Sequence, residues 1–192
     1  MRVSFIQIFF TMVVLSLLLS CQSSLYEKDY ISWIEDKSNG LHVVKEFNGF
    51  VFDLQYQPND FLWLQSNKKE NSGLISRSNQ ESQHYLLKIK TEDMKYDWIK
   101  SVGNLEMQNK LYYFSYLFQN DIYIEEEGVI VPCTMVHFEQ GQRTGATKVF
   151  LLSFENKFPD GKTSTLVIDS NYFGSLPVRI KVSKNDIPNL KI

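Results

Sequence analysis

The sequence predicts a β-rich α+β domain, built on an antiparallel sheet or sandwich with two or three short helices. Three observations lead there. Short runs of alternating apolar and polar residues recur along the chain, and period-two alternation marks a half-buried strand. Tight-turn sequences such as Asn48-Gly49 and Pro159-Asp160-Gly161 separate them. Few stretches show the spacing of a helix face. Aromatic residues make up 14% of the 192, which supplies a core and argues against disorder.

The first element is not part of the domain. Met1-Arg2 is a minimal charged start, Val3 to Leu19 is largely apolar, and Leu18-Leu19-Ser20-Cys21 closes the run. A charged start, an apolar stretch and a small-residue exit make a secretory signal. A membrane-spanning helix needs about 20 mostly apolar residues, and Ser4, Gln7, Thr11 and Ser16 interrupt this one. Residues 1–20 are therefore read as a signal, 21–24 as a short tether and 25–192 as a single domain.

Within that domain, Ser24-Leu25-Tyr26-Glu27 has the form of a capping box. It predicts a helix over about 25–37 carrying Tyr30, Trp33 and Ile34 and stopped by Gly40. Leu41 to Phe47 and Phe50 to Tyr56 alternate on either side of Asn48-Gly49, a hairpin. Pro58-Asn59-Asp60 opens a short helix through Leu64, since proline is tolerated in a first turn. Residues 66–81 are polar and read as a loop.

Tyr85, Leu87 and Ile89 mark the next strand. Residues 91–104 have no clear pattern, although Tyr96, Trp98 and Ile99 need packing partners. Met107, Leu111, Phe114 and Phe118 form a helical stripe over about 104–118. Ile122 and Ile124 lead into Glu125-Glu126-Glu127-Gly128, which reads as a solvated turn. Val129 to Phe138 and Val149 to Phe154 are apolar on both faces, as covered strands are. Pro132 marks an edge or bulge in the first of them. Leu166 to Ile168 and Leu176 to Val182 complete the set. Strands at this spacing suggest that the C-terminal part is Ig-like in topology.

Composition limits the partners. There are 20 basic and 22 acidic residues, a formal net charge of −2. Such a chain has no electrostatic footprint for nucleic acid. Of the two cysteines, Cys21 sits at the signal and Cys133 in an apolar run, so the domain is expected to lack an internal disulfide.

Chemistry-bearing patterns are sparse. His42, His84 and His137 are the three histidines, and none has the spacing of a metal pair. Cys133 and His137 lie four apart in a strand, about 13 Å, too far for one ion. No nucleophile elbow, glycine-rich dinucleotide fingerprint or phosphate loop occurs. No metal or other cofactor is expected, and no catalytic residues are assigned. Gln142, Arg143 and Thr144, in a polar loop between two core strands, are the candidate contact loop, because recognition usually sits on loops held by a rigid sheet.

The end of the signal resembles that of bacterial lipoproteins: Leu18 lies three residues before the cysteine, small Ser20 immediately before it, and Cys21 follows. Leu19 departs from the pattern, where a smaller residue is usual. The resemblance implies cleavage between Ser20 and Cys21 and lipidation of Cys21, palmitate among the acyl chains. Two or more chains give stable attachment where one does not. Gln22 is not the Asp associated with inner-membrane retention, so the outer membrane is expected, facing the periplasm rather than the cell surface. In its Asn-, Lys- and aromatic-rich composition the body resembles uncharacterised lipoproteins of Bacteroidota-type bacteria, which brings no activity with it.

The leading expectation is thus a non-catalytic envelope lipoprotein, held to the membrane by its lipid, that binds another envelope component within a protein complex. One alternative is a ligand-binding lipoprotein for glycan, peptide or lipid, using Trp33, Trp63 and Trp98. A second is an unrecognised hydrolase, which needs two or more titratable groups converging in a cleft.

Overall fold

The computed structural model describes residues 24–68, 81–93, 97–100, 102–139 and 146–192. Eight strands form one antiparallel sheet: β2 (His42–Phe47), β3 (Phe50–Gln57), β4 (Ser82–Thr91), β5 (Ile122–Glu126), β6 (Val129–Glu139), β7 (Lys148–Glu155), β8 (Thr163–Ile168) and β9 (Val178–Ser183). Their order is β2-β3-β4-β7-β6-β5-β8-β9. The sheet curls until its two edge strands meet, giving a nearly closed barrel. The β-rich α+β class is therefore present, as one continuous curled sheet. The Ig-like pair of facing sheets does not form, because β6 bridges the two halves. Its first residues pair with β5 and its last with β7. It changes partner between Pro132 and Cys133, and the register shift between Cys133 and Met135 follows directly.

Two edges remain. Ser183 N donates to Gly40 O at 3.1 Å at one end of the seam between β2 and β9. Lys45 Nζ reaches Arg179 O at 2.8 Å in the middle, and Asn48 Nδ2 reaches Phe173 O at 2.8 Å at the other end. No ladder joins these strands.

Among the described residues three α-helices lie outside the sheet: α1 (Glu27–Glu35), α2 (Asn59–Lys68) and α3 (Asn104–Tyr112). The expected capping box is not made. Ser24–Tyr26 instead forms β1, parallel to β10 (Asn189–Lys191), and the N-cap of α1 is Tyr26 without a side-chain cap. Pairing with a strand from the far end of the chain displaces the local cap. The hairpin is as predicted, with Asn48 and Gly49 at φ 50° and 77°, the left-handed values of a type I′ turn. Met107 and Leu111 of the predicted stripe are half-buried. Phe114 and Phe118 are fully buried, but beyond α3, in a π-helical turn (Tyr113–Leu117) and a 3-10 turn (Phe118–Asp121).

The barrel core holds Phe52, Leu54, Leu87, Phe150, Leu152, Ile180 and their neighbours. One end is plugged by Trp98, Ile99, Phe114, Phe118 and Phe173, whose rings meet mostly edge-on; Trp98 and Phe114 are 5.1 Å apart at 90°. At the opposite end a smaller core of Tyr30, Ile34, Leu41, Phe61, Leu64 and Leu190 packs α1 and α2 against the sheet. Strand β7 is buried on both faces, as predicted. Strand β6 is not: Val129, Ile130 and Met135 are exposed, since no helix covers that flank among the described residues.

Candidate functional site

The outer face of β3, β4 and β7 is where the sheet departs most from the sequence pattern. Alternation turns Phe52, Leu54 and Tyr56 inward and Asp53, Gln55 and Gln57 outward. Outward polar residues are ordinarily wet. Gln55 and Gln57 are instead only 8% and 5% exposed. The cause is α2, which folds back after Pro58, where Phe61 N and Leu62 N both donate to Pro58 O. It sinks Phe61 and Leu64 into the smaller core and leaves Leu62 and Gln65 beside the sheet.

Between α2 and the sheet runs an open groove of about 680 Å³. Leu86, Val149 and Leu151 form its apolar floor, and Gln55 and Gln57 stand at the side toward α2. Register places Gln55, Leu86 and Leu151 in one row across three strands. Lys88, Glu35 and Glu139 supply charges around it. Gln55 Nε2 makes one long hydrogen bond, 3.4 Å to Ile34 O. The Gln57 side chain has no hydrogen-bond partner among the described residues.

Two histidine pairs lie on the same outer face. His42 Nε2 is 2.6 Å from Asp53 Oδ1, and His84 Nδ1 is 2.9 Å from Ser153 Oγ. A nucleophile needs its base, and the base its orienting carboxylate, in one chain of contacts. Here the carboxylate and the hydroxyl belong to different histidines. Burial holds the His84 pKa below its ordinary value, and Ser153 is itself buried.

Inside the barrel, at the end nearer α1, sequence reasoning missed a polar cluster. Glu126, read as part of a solvated run, is wholly buried. Its carboxylate pairs with Lys184 Nζ and accepts from Gln83 Nε2 at 2.9 Å. Tyr85 OH donates to Gln83 Oε1 at 2.9 Å and lies 2.7 Å from Ser164 Oγ. Lys184 Nζ also sits 5.6 Å from the Tyr56 ring centre. Burial, with the Glu126 charge adding to it, pushes the Tyr56 hydroxyl up to about 12. The signal was present in the alternation, because Ile122, Ile124 and Glu126 share the inward phase. Every charge in this cluster is matched, which makes it a fastening between strands.

At the plugged end, a cavity of about 230 Å³ lies over the Asp97–Lys148 pair, 2.5 Å apart. Burial alone would raise the Asp97 carboxyl. The hydrogen bond from Lys148 and the backbone N–H groups of Lys100 and Ile99 outweigh it and hold the pKa below its usual value.

The remaining predicted residues are placed as follows. Ser20, Cys21, Gln142, Arg143 and Thr144 lie outside the described residues; Glu139 and Thr147, on either side of that loop, line both the groove and the cavity. The three tryptophans do not converge. Trp98 is buried in the barrel plug, while Trp33 and Trp63 are half-buried against the smaller core. Cys133 is buried, and that burial pushes its thiol up to about 11. Among the described residues no group of three or more His, Cys, Asp or Glu is placed to hold a metal ion. Nor is any described helix long and apolar enough to cross a membrane.

No family model and no curated protein matches the chain. Among solved structures, a DUF4426 family protein from Pseudomonas aeruginosa PAO1 is similar at 10% identity, over 74% of this chain and 94% of that one, with a TM-score of 0.37. At that score the likeness carries no argument about function.

Proposed function

We propose that this protein is a lipid-anchored, non-catalytic component of the outer membrane that binds another envelope protein through the groove under α2. The observation that carries the reading is the groove's lining: two largely buried glutamines whose amides, with one long hydrogen bond to Ile34 O between them, reach the groove beside an apolar floor, with mixed charge at the rim. Such a surface holds a ligand in one orientation without offering it a reacting group. Its volume falls within the range of about 300–1,000 Å³ typical of ligand sites.

The anchor supports the same reading. The lipid-bearing residue would be Cys21, and β1 begins three residues later, at Ser24, already paired to β10. Three residues span at most about 10 Å, so the domain is held close to the membrane surface. Gln22 supports the outer membrane over the inner. A binding domain on so short a tether suits a partner that is itself resident in the envelope.

The test is affinity purification from detergent-solubilised membranes after mild crosslinking, comparing the parent protein with Cys21→Ala and Leu151→Glu. The parent is expected to bring down one stoichiometric protein that both variants lose. A partner retained by Leu151→Glu, or none with the parent protein, overturns the proposal.

A further inference from the structure

We infer that the occupant of the groove is a peptide segment in extended conformation, about four residues of it lying across the sheet between α2 and the Glu139–Thr147 side. This rests on the reading of the groove as a partner site and names the chemistry of what enters it. The argument runs from the lining atoms. Gln57 is buried, lines the groove and offers both a donor and an acceptor to whatever lies there. Gln55 has a carboxamide oxygen with no hydrogen bond among the described residues and a weakly held Nε2. Paired donor and acceptor groups match the repeating N–H and C=O of a main chain. Leu86, Val149 and Leu151 below them match alternate side chains of an extended segment, which present one face every second residue. Strands lie about 4.8 Å apart, so the path from β3 to β6 covers roughly 14 Å, the length of about four extended residues.

Two other chemistries fit less well. An acyl chain would cover the Gln55 and Gln57 amides with nothing to bond them, and burying an unbonded amide is costly. A sugar ring seeks an open aromatic face. Phe61, the aromatic residue among those described in the lining, is 1% exposed, its ring turned into the smaller core. Lys88 on one rim and Glu139 with Glu35 on the others give the groove both signs of charge, which fits a peptide with an acidic residue beside Lys88.

The test is selection of random twelve-residue peptides displayed on phage against the purified full chain, followed by fluorescence-polarisation titration of the enriched peptides. Binding is expected to weaken at least tenfold in Gln57→Leu and in Lys88→Glu and to be unchanged in Ile130→Ser, on the opposite flank. N-methylation of alternate peptide amides should weaken it similarly. Lys88 is half-exposed, so its variant reports even if Gln57→Leu fails to fold. Absence of enriched peptides, or peptides indifferent to both groove variants, overturns the inference. If a membrane partner is still captured and still lost in Leu151→Glu, the groove remains a partner site and only the peptide assignment falls. If that capture fails too, both fall.

Discussion

The Lys184 ammonium and the Glu126 carboxylate form an ion pair inside the barrel, with side chains only 6% and 0% exposed. They join the end of β5 to the residue after β9, and through Gln83, Tyr85 and Ser164 they reach β4 and β8. Removing one partner leaves a buried charge unmatched, at a cost of about 3–5 kcal/mol. Lys184→Met is therefore expected to lower the urea midpoint sharply, while Lys184→Met with Glu126→Leu recovers most of the loss. Equal destabilisation by the single and double variants would show that the pair is not acting as a unit.

Gly161 is held against that pair. A Cβ built there would lie 2.5 Å from Glu126 Oε1 and 3.0 Å from the Phe158 carbonyl oxygen. The carboxylate is fixed by two partners and the carbonyl is backbone, so neither can retreat cheaply. Gly161→Ala should destabilise the protein by about 1–3 kcal/mol, the usual range for overpacking. Thermal unfolding of the two proteins side by side checks this.

The barrel seam predicts an exchange pattern. Tyr56 N donates to Leu41 O at 2.8 Å, and bonded positions alternate along an antiparallel pair. Val43 and Lys45 therefore bond to β3, while Val44 and Glu46 turn their backbone groups to the seam. Amide hydrogen exchange should be much faster at Val44 and Glu46 than at Val43 and Lys45. Uniform protection along β2 would mean that the barrel is closed by a ladder.

Cys133 gives a pH dependence with a definite sign. Burial raises its folded-state pKa from about 9 to about 11, so the folded protein holds the thiol proton longer than the unfolded chain does. The stability this contributes is present below about pH 9 and is lost as pH rises toward 11. Cys133→Ala should show a shallower fall in stability over that window. At pH 8 the native thiol should react with Ellman's reagent far more slowly than the unfolded one.

Particular residues show what the sequence allowed and what it hid. Asn48-Gly49 is legible because both left-handed φ values are written into the residue types. Strand β7 is legible because burial on both faces calls for apolar residues at nearly every position, and Val149 to Phe154 supplies them with Ser153 as the exception. Glu126 was hidden by its neighbours: three glutamates in a row read as solvated, and the lysine that neutralises the middle one is 58 residues away. The capping box at Ser24 was lost to β10, which is more remote still in sequence. The groove was hidden for the same reason. Gln55 and Gln57 alternate as wet residues do, and only the return of α2 beside them buries most of their surface and makes them one wall of a groove.

The most direct measurement is site-specific photocrosslinking in the native envelope, with a photoreactive amino acid placed at Lys88 in the groove and, separately, at Ile130 on the bare flank. The groove position is expected to give one discrete protein adduct and the flank position none. Adducts of equal yield from both positions, or none from the groove, would contradict the account.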